Sequence, residues 1–295
     1  MRRSIRRFAI ALSLATAVTG AVALPASVQA AEELWALTTS NNLLNFNSSS
    51  PTAFSLRPIT GLAPGEVALA IDFRPAVPTG RLYVLGSTNR IYLISDPNSG
   101  AATPVGGGPF SPALTGVEYG FDFNPTVDRI RIVGDSDQNL RAHPDLGTIV
   151  FSDSALYYVG GDPNFGQNPN VTAAGYTNSV PGATSTRLFD IDSNLDVLAI
   201  QSPPNVGRLT TVGAVGIDVT NDNGFDISGA SGIAYLVTGW GPSNAALYTL
   251  NLLSGQATLV GAIGCNERLR GLSVGRELAT PVESTSWGRI KSDYR

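Results

Sequence analysis

Short segments in which apolar and polar residues alternate fill the chain from Leu34 to Gly275, and Gly, Pro, Asn, Asp or Ser residues bound each of them. Segments of this length and composition predict β-strands. One four-residue pattern recurs about every fifty residues, with a small residue first and a short hydrogen-bonding side chain third. Its copies are Ala70–Phe73, Gly120–Phe123, Gly175–Asn178, Gly224–Ile227 and Gly271–Val274. A repeat of this length favours propeller blades or another array of similar units.

Three more strands are predicted after each of the first four copies. They are rich in β-branched and aromatic residues, as in RLYVL, RIYLI and ATPVG after the first copy. A glycine precedes the last strand of each unit, in NSG, DLG, NVG and LSG, where a tight hairpin turn requires one. The copy at 271–274 has no strands after it, whereas the strands predicted at 34–38, 42–46 and 54–59 lack a first strand. The two ends of the chain together complete a fifth unit.

The repeat therefore predicts an all-β protein, a five-bladed β-propeller of four-stranded blades over residues 31–278, closed by the N- and C-terminal strands. Closure of this kind removes the open sheet edges that invite aggregation. The alternative is a ring of six blades. A sixth unit fits only between Ser152 and Tyr176, where the Ser, Asn and Gly content favours a long loop between blades. Residues 279–295 match no blade and are predicted to form a flexible tail.

The first thirty residues are typical of a secretory signal peptide. Four arginines precede an apolar run, and small residues then lead to a cleavage site after Ala30. The alternative, an uncleaved membrane anchor, is disfavoured by the Ser, Thr and Gly residues that dilute the run. We expect a secreted protein, or one of the periplasm or cell envelope, with no membrane span after cleavage.

Composition restricts the available chemistry. The chain has 23 acidic and 19 basic residues, and the predicted signal peptide contains four of the basic ones, so the mature protein is acidic. An acidic surface repels phosphate backbones, and nucleic-acid binding is not expected. The chain has a single cysteine, Cys265, and a single histidine, His143, which exclude an internal disulfide and zinc sites built from these residue types. No cofactor is expected on this basis, and the protein is predicted to be a monomer.

The third residues of the repeated pattern are Asp72, Asp122, Thr177, Asp226 and Ser273. The first strand of each blade lies nearest the propeller axis, so these side chains are predicted to lie close to it. An unpaired buried charge is costly, and each carboxylate must meet a donor, water or a cation. The first interpretation is a repeated hydrogen bond to a neighbouring backbone N–H, which Thr and Ser also accept. The second interpretation is a Ca²⁺ ion held by the three aspartates. The Thr and Ser at the other two positions weaken this interpretation, because they are poor cation ligands.

A second acidic segment, DIDSNLD, runs from Asp190 to Asp196. Its alternate oxygen-bearing residues follow the spacing of a calcium-binding loop. However, Leu195 stands where such a loop needs Gly, and Gln201 where it needs Glu. A β-hairpin with Ser193 and Asn194 at its tip explains the segment as well.

Four residues near predicted strand ends are candidates for binding a ligand. Glu66 and Glu118 precede first strands, Arg74 follows one, and Trp240 lies in the loop TGWGPSN. Acidic and arginine side chains around one end of a channel would line a small polar pocket, and the tryptophan would stack on a sugar or cover that pocket. The alternative is ordinary surface solvation and local turn bonding, with Trp240 capping the core.

The segments PGEVALAIDFRPAVPTGRLYVLGSTNRIYLISDPNSGAATPVG and GFDFNPTVDRIRIVGDSDQNLRAHPDLG resemble an uncharacterised family of secreted bacterial proteins, known as domain of unknown function 4394. The similarity covers about Leu34 to Gly275. It implies an exported, propeller-like protein, and it implies no established activity, substrate or site residue.

The sequence favours a secreted, non-enzymatic propeller that binds an unidentified ligand or envelope partner, because variable loops on a rigid scaffold suit binding and no catalytic constellation is complete. One alternative is a calcium-dependent hydrolase or lyase that uses the axial carboxylates to hold a metal. Another is a structural module of the cell envelope.

Overall fold

Five sheets, each built on four antiparallel strands, follow one another along the chain, as the repeat predicts. The computed structural model describes residues 31–77, 80–239 and 245–275. Blade 1 contains β1 (Glu33–Thr38), β2 (Asn42–Asn47), β3 (Ser50–Pro58) and the C-terminal β21 (Leu269–Val274). Blade 2 contains β4 (Ala68–Phe73), β5 (Leu82–Gly86), β6 (Arg90–Ile94) and β7 (Ala102–Val105). Blade 3 contains β8 (Tyr119–Asn124), β9 (Arg129–Gly134), β10 (Asn139–His143) and β11 (Thr148–Ser152).

The last two blades have the same order, with one additional strand. Blade 4 contains β13 (Val171–Tyr176), β14 (Leu188–Asp192), β15 (Val197–Gln201), β16 (Arg208–Ala214) and the short β12 (Tyr157–Tyr158). Blade 5 contains β17 (Gly224–Ile227), β18 (Ala234–Thr238), β19 (Ala246–Leu250) and β20 (Ala257–Ala262). The five-bladed propeller is confirmed.

The two ends of the described chain meet in one sheet. The C-terminal strand β21 pairs antiparallel with β1, with Leu272 opposite Ala36 and Ser273 opposite Trp35. Trp35 is 2% exposed and lies among the apolar side chains between blades 1 and 2. The predicted closure by N- and C-terminal strands is therefore confirmed, and β21 supplies the inner strand that blade 1 otherwise lacks.

The inner strands are buried on both faces because each lies between two blades. On β8, Phe121 and Phe123 pack against blade 2, where the rings of Phe123 and Tyr83 meet edge to face with centroids 5.0 Å apart. Gly120 and Asp122 point the opposite way, as the two-residue period of a strand requires. A Cβ on Gly120 would lie 2.6 Å from Ala174 of blade 4, so only glycine allows these backbones to approach.

Blade 4 corrects one prediction from the sequence. Strand β13 ends at Tyr176, and Thr177 lies beyond it, where its hydroxyl accepts a hydrogen bond from Arg187 N–H. The N–H of Tyr176 donates to Asp122, just as that of Phe123 donates to Asp72. Tyr176 therefore corresponds to Phe123, and Gly175, not Thr177, occupies the third position of the pattern. The sequence match was wrong by two residues because GYTN and AAGY both begin with a small residue.

The segment between Ser152 and Tyr176 forms no sixth blade. Its Tyr157 and Tyr158 pair in parallel with β16 and extend the outer edge of blade 4. The Tyr158 hydroxyl, buried in the sheet, donates to Asp192 over 2.8 Å and anchors the segment.

The glycines before the outer strands have the predicted role in turns and a second role in packing. Gly147 and Gly255 have φ angles of +64° and +82°, which favour glycine. A Cβ on Gly147 would lie 2.2 Å from the carbonyl oxygen of Val105 in blade 2, and one on Gly255 would lie 2.5 Å from that of Gly213 in blade 4. Both residues therefore also let neighbouring blades touch at their outer strands.

Residues 1–30, where the signal peptide is predicted, and the predicted tail at 279–295 lie outside the described residues. Within the part of the chain that the structure describes, no helix is long and apolar enough to cross a membrane. The helical structure found there is one short 3₁₀ turn, Pro204–Val206.

Candidate functional site

Three aspartates from three inner strands meet at the propeller axis. Asp72 on β4, Asp122 on β8 and Asp226 on β17 each place a carboxylate oxygen within 4.8 Å of the other two. Their exposed fractions are 3%, 2% and 5%. We call this group the axial ring. Ser273 occupies the corresponding position of blade 1 and is bonded to the ring, and Gly175 leaves the fifth position without a side chain.

Asp72 accepts three well-aligned donors. Ser273 Oγ donates to Asp72 Oδ1 over 2.7 Å, and the N–H of Phe73 donates to the same oxygen over 2.7 Å. The N–H of Phe123, in the next blade, donates to Oδ2 over 2.8 Å. Burial raises the pKa of Asp72 well above its ordinary value, the charge of Asp226 raises it further, and these hydrogen bonds oppose both effects.

Asp226 repeats this arrangement at the closure of the ring. The N–H of Val274 in blade 1 donates to Oδ2 over 2.6 Å, and the N–H of Ile227 donates to Oδ1 over 2.6 Å. Burial raises the pKa of Asp226 to about 6, and the two N–H groups restrain the rise. The hydrogen bonds to backbone N–H that the sequence predicts for the axial side chains are therefore present.

Asp122 differs from the other two aspartates. It accepts the N–H of Tyr176, and its carboxyl group contacts that of Asp226. Its Oδ1 has no hydrogen-bond partner among the described residues. Burial raises the pKa of Asp122 well above its ordinary value, and the charges of Asp72 and Asp226 raise it further.

The predicted ligand-binding residues Glu66 and Arg74 lie at opposite ends of β4 and are engaged within the fold. Glu66 accepts hydrogen bonds from Thr88 N–H over 2.7 Å and from the Tyr92 hydroxyl over 2.8 Å. Arg74 binds Asp128 and Asp145 of blade 3. Both side chains join structural elements, and their predicted role in binding a ligand stays a prediction.

Glu118 lies where the inner strand β8 begins, with Oε1 3.7 Å from Nη2 of Arg270. Burial raises the pKa of Glu118 to about 7, although the Arg270 charge lowers it. Trp240, the fourth predicted ligand-binding residue, lies outside the described residues.

The acidic segment 190–196 forms the predicted hairpin. Strands β14 and β15 pair with Asp192 opposite Val197, and Asp192 Oδ1 accepts the N–H groups of Asn194 and Leu195 at the turn. Asp190 points into the interface between blades 3 and 4, and neither of its carboxylate oxygens has a partner in the described parts of the chain. Burial raises the pKa of Asp190 to about 8 against the opposing charge of Arg131.

A cavity of about 190 Å³ opens between blades 3 and 4. We call it the arginine cavity. Two strands of blade 3 contribute its cationic side chains, Arg129 and Arg131 on β9 and Arg141 on β10. The remaining wall consists of Asn124, Val127, Tyr176, Pro204 and Asn205.

Strand register brings the arginines together. Arg131 lies directly opposite Arg141 in the pairing of β9 with β10, so the two side chains occupy the same face. Like charges in this position repel, and Asp153 compensates by accepting Nη1 of Arg131 over 2.6 Å and Nε of Arg141 over 2.7 Å. The Arg141 guanidinium also lies 4.0 Å from the centre of the Phe151 ring. The charged wall of the cavity is thus held in a fixed geometry.

The arginines differ in how many donors they have left. Arg131 is 1% exposed and donates to Asn139, Asp153 and Asn205. Arg141 uses Nε and Nη2 on Asp153, and Arg129 uses Nη1 on backbone carbonyl oxygens. Within residues 31–77, 80–239 and 245–275, Nη1 of Arg141 and Nε and Nη2 of Arg129 have no protein acceptor, so they remain for a ligand.

A model of the DUF4394 family, described as a domain of unknown function, matches residues 42–273. The chain belongs to this family. No curated protein matches it. The DUF4394 chain is similar to several solved structures, among them "YCF48 bound to D1 peptide", with 11% identity, a TM-score of 0.36 and 77% of each chain covered.

Two proteins from Bacteroides thetaiotaomicron are also similar. One, of unknown function, has 17% identity and a TM-score of 0.46, covering 79% of this chain and 58% of its own. The other, an auxiliary nutrient binding protein, has 16% identity and a TM-score of 0.40, covering 68% of this chain and 55% of its own. The DUF4394 chain thus spans little more than half the length of these two proteins. Similarity at this level identifies no ligand.

The arginine cavity was not predicted from the sequence. Its signal is the alternation of RIRIV in β9, where Arg131 stands in the middle of a strand between buried isoleucines. An arginine at such a position needs acceptors, and these come from Asp153 and Asn205, which are distant in sequence. Nothing local in the DUF4394 sequence joins those residues.

Proposed function

We propose that this propeller is an exported, non-enzymatic binding module that takes a small organic anion into the arginine cavity. The observation that supports it is the pair of arginines, Arg129 and Arg141, which line a cavity in an acidic protein and keep N–H groups without an acceptor among the described residues. Guanidinium groups bind carboxylates and phosphates through charge-assisted hydrogen bonds.

The charge of the cavity supports an anion. Three guanidinium groups line it, and one carboxylate, that of Asp153, bridges two of them. Positive charge in excess inside a concave surface attracts an anion even when the protein as a whole is negative.

The size and lining of the cavity support a small ligand with polar and apolar parts. A volume of about 190 Å³ is below that of sites for drug-sized molecules. Asn124, Tyr176 and Asn205 offer hydrogen-bonding groups, while Val127 and Pro204 offer apolar contact. A sugar acid or a small carboxylic acid has this combination.

The geometry favours binding in the arginine cavity over the alternative function, hydrolysis or elimination by the axial carboxylates. The axial carboxylates are buried and bonded to backbone N–H groups. A space of about 10 Å³ between the inner strands, lined by Gly120, Gly224 and Gly271 among others, has the volume that one water molecule requires.

Isothermal titration of the purified protein with galacturonate, citrate, acetate and inorganic phosphate tests the proposal. We expect saturable binding of one molecule of at least one of these anions, weakening as ionic strength rises. Arg129→Gln and Arg141→Gln should each weaken it by about tenfold to a hundredfold, because a hydrogen bond to a charged group contributes about 1.5–3 kcal/mol.

Arg57→Gln, which removes the same charge from β3 of blade 1, is the matched control and should bind as the wild type does. Urea unfolding of each variant verifies that the fold persists. Absence of saturable binding for all four anions, or equal weakening in the Arg57 variant, would overturn the proposal. A protein that binds none of the four anions would support the alternative of a structural role in the cell envelope.

A further inference from the structure

We propose that the axial ring of Asp72, Asp122 and Asp226 binds one Ca²⁺ ion, which ties blades 2, 3 and 5 together at the propeller axis. The inference is independent of the arginine cavity, which lies between blades 3 and 4.

The first support is the convergence of three carboxylates without a compensating cation. Their ligand oxygens lie within 4.8 Å of one another, a separation that one ion with Ca²⁺–oxygen distances of about 2.3–2.6 Å spans. No ion pair of the described residues involves any of the three. Arg131 lies opposite Asp122 in the sheet, but its guanidinium is bonded to Asn139, Asp153 and Asn205.

The second support is the unpartnered oxygen of Asp122. The residue is 2% exposed, and its Oδ1 meets no donor in the described structure. A buried polar atom without a partner costs about 1–3 kcal/mol. Asp122 contributes an oxygen to the converging set, so an ion at the ring would coordinate this buried carboxylate.

The third support is the coordination that the other two aspartates still offer. Asp72 Oδ2 accepts the N–H of Phe123, and Asp226 Oδ1 accepts the N–H of Ile227. Each carboxylate oxygen has two lone pairs, so both oxygens can still coordinate a cation. The backbone N–H groups fix these carboxylates in place, which organises them before an ion arrives.

The ring chemistry selects a hard cation. All its side-chain ligands are oxygens, which suit Ca²⁺, Mg²⁺ or Mn²⁺, whereas zinc favours His and Cys. Ca²⁺ tolerates irregular geometry, while Mg²⁺ demands an octahedron and releases its water reluctantly. The ring aspartates are at most 5% exposed, and such a buried site favours Ca²⁺ over a heavily hydrated Mg²⁺.

Calcium titration of chelator-treated protein tests the site, with calorimetry for stoichiometry and thermal unfolding for stability. We expect one ion per chain and a rise of several degrees in melting temperature on adding Ca²⁺, with a smaller rise for Mg²⁺. Asp122→Asn should lose both effects, because the amide removes a charge and keeps the shape.

Asp190→Asn is the matched control, since Asp190 is also buried with unpartnered oxygens but lies away from the ring. Its calcium response should equal that of the wild type. Loss of the response in this variant alone would place the ion at segment 190–196 and overturn the proposal, as would a wild type that binds no Ca²⁺.

Terbium luminescence of the wild type keeps the proposal testable if Asp122→Asn does not fold. Tb³⁺ substitutes for Ca²⁺, and its decay in light and heavy water counts the coordinated waters. A Tb³⁺ ion in the buried ring should hold at most one or two water molecules, and added Ca²⁺ should displace the ion. A count typical of an exposed ion would show that the ring is not the site.

Discussion

Ser273 donates a hydrogen bond to Asp72 Oδ1 over 2.7 Å, although 201 residues separate them in sequence. Ser273 lies on β21, the last strand of the described chain, and Asp72 on the first strand of blade 2. Blade 1 is built from both chain ends, and this bond links its C-terminal strand to the neighbouring blade. The strand that closes the propeller is therefore bonded directly to the axial ring.

Replacing Ser273 by Ala should destabilise the protein by about 1–3 kcal/mol, because the buried Asp72 carboxylate loses the Ser273 hydroxyl as a donor. Urea unfolding measures the change. Ser185→Ala, at an exposed position, should alter stability by less than about 0.5 kcal/mol. Equal effects in the two variants would mean that the bond contributes nothing.

Stability should fall between about pH 5 and about pH 8, and Asp190 should be one cause. Its pKa in the folded protein, about 8, lies above the ordinary 3.8, so the folded state holds a proton that the unfolded state has released. The stabilisation from this bound proton is complete below the pKa of Asp190 in the unfolded state. It is lost as the pH rises through the pKa of Asp190 in the folded state. Asp190→Asn should therefore flatten the decline and raise stability at the alkaline end.

Unfolding free energies from urea titrations across this range measure the effect. The decline should not vanish, because Glu118 and Asp226 also have raised pKa values, of about 7 and about 6. Asp218→Asn, on the exposed surface, should leave the profile of the wild type unchanged. A profile that Asp190→Asn does not alter contradicts the prediction.

Gly224→Ala should destabilise the protein by about 1–3 kcal/mol or more, because a Cβ there would lie 2.3 Å from the carbonyl carbon of Gly271. The contact is with backbone, which cannot move without separating blades 5 and 1. Gly160→Ala is the control, since nothing lies within 4 Å of its Cβ position. Thermal unfolding of the pair should separate them by several degrees.

Ending the chain before Leu269 should abolish cooperative unfolding. This truncation removes β21, with its pairing to β1, its buried Leu272 and Val274, and the bond to Asp72. Blade 1 then exposes an edge, and its neighbours lose a packed face. Ending the chain after Gly275 retains β21 and should preserve the wild-type transition in denaturant. A sharp transition in the shorter chain would show that closure is dispensable.

Much of the fold could be predicted because its signals are local. RIYLI, predicted at 90–94, is β6 itself, and the glycines at 147 and 255 adopt the positive φ angles that their turns require. Strand alternation and turn chemistry act within a few residues of the chain. The repeat of these signals predicted five blades and their closure.

Prediction failed where several inner strands had to be aligned with one another. The position assigned to Thr177 belongs to Gly175, because a shift of two residues preserves the alternation and the small first residue. The end of β13 at Tyr176 and the hydrogen bond from Tyr176 N–H to Asp122 distinguish the two alignments. Glu66 and Arg74, which precede and follow β4 in the sequence, lie at its two ends, and their predicted role in binding a ligand stays a prediction.

The sequence by itself determined the number of blades, the strands within them and the junction of the chain ends, since these follow from period-two patterns and turn residues repeated along the chain. The tertiary structure decided which side chains meet. The axial ring joins residues from three blades, and the arginine cavity joins β9 and β10 to the Pro204–Val206 turn of blade 4. Such meetings depend on how whole blades pack against one another, and no local pattern encodes that packing.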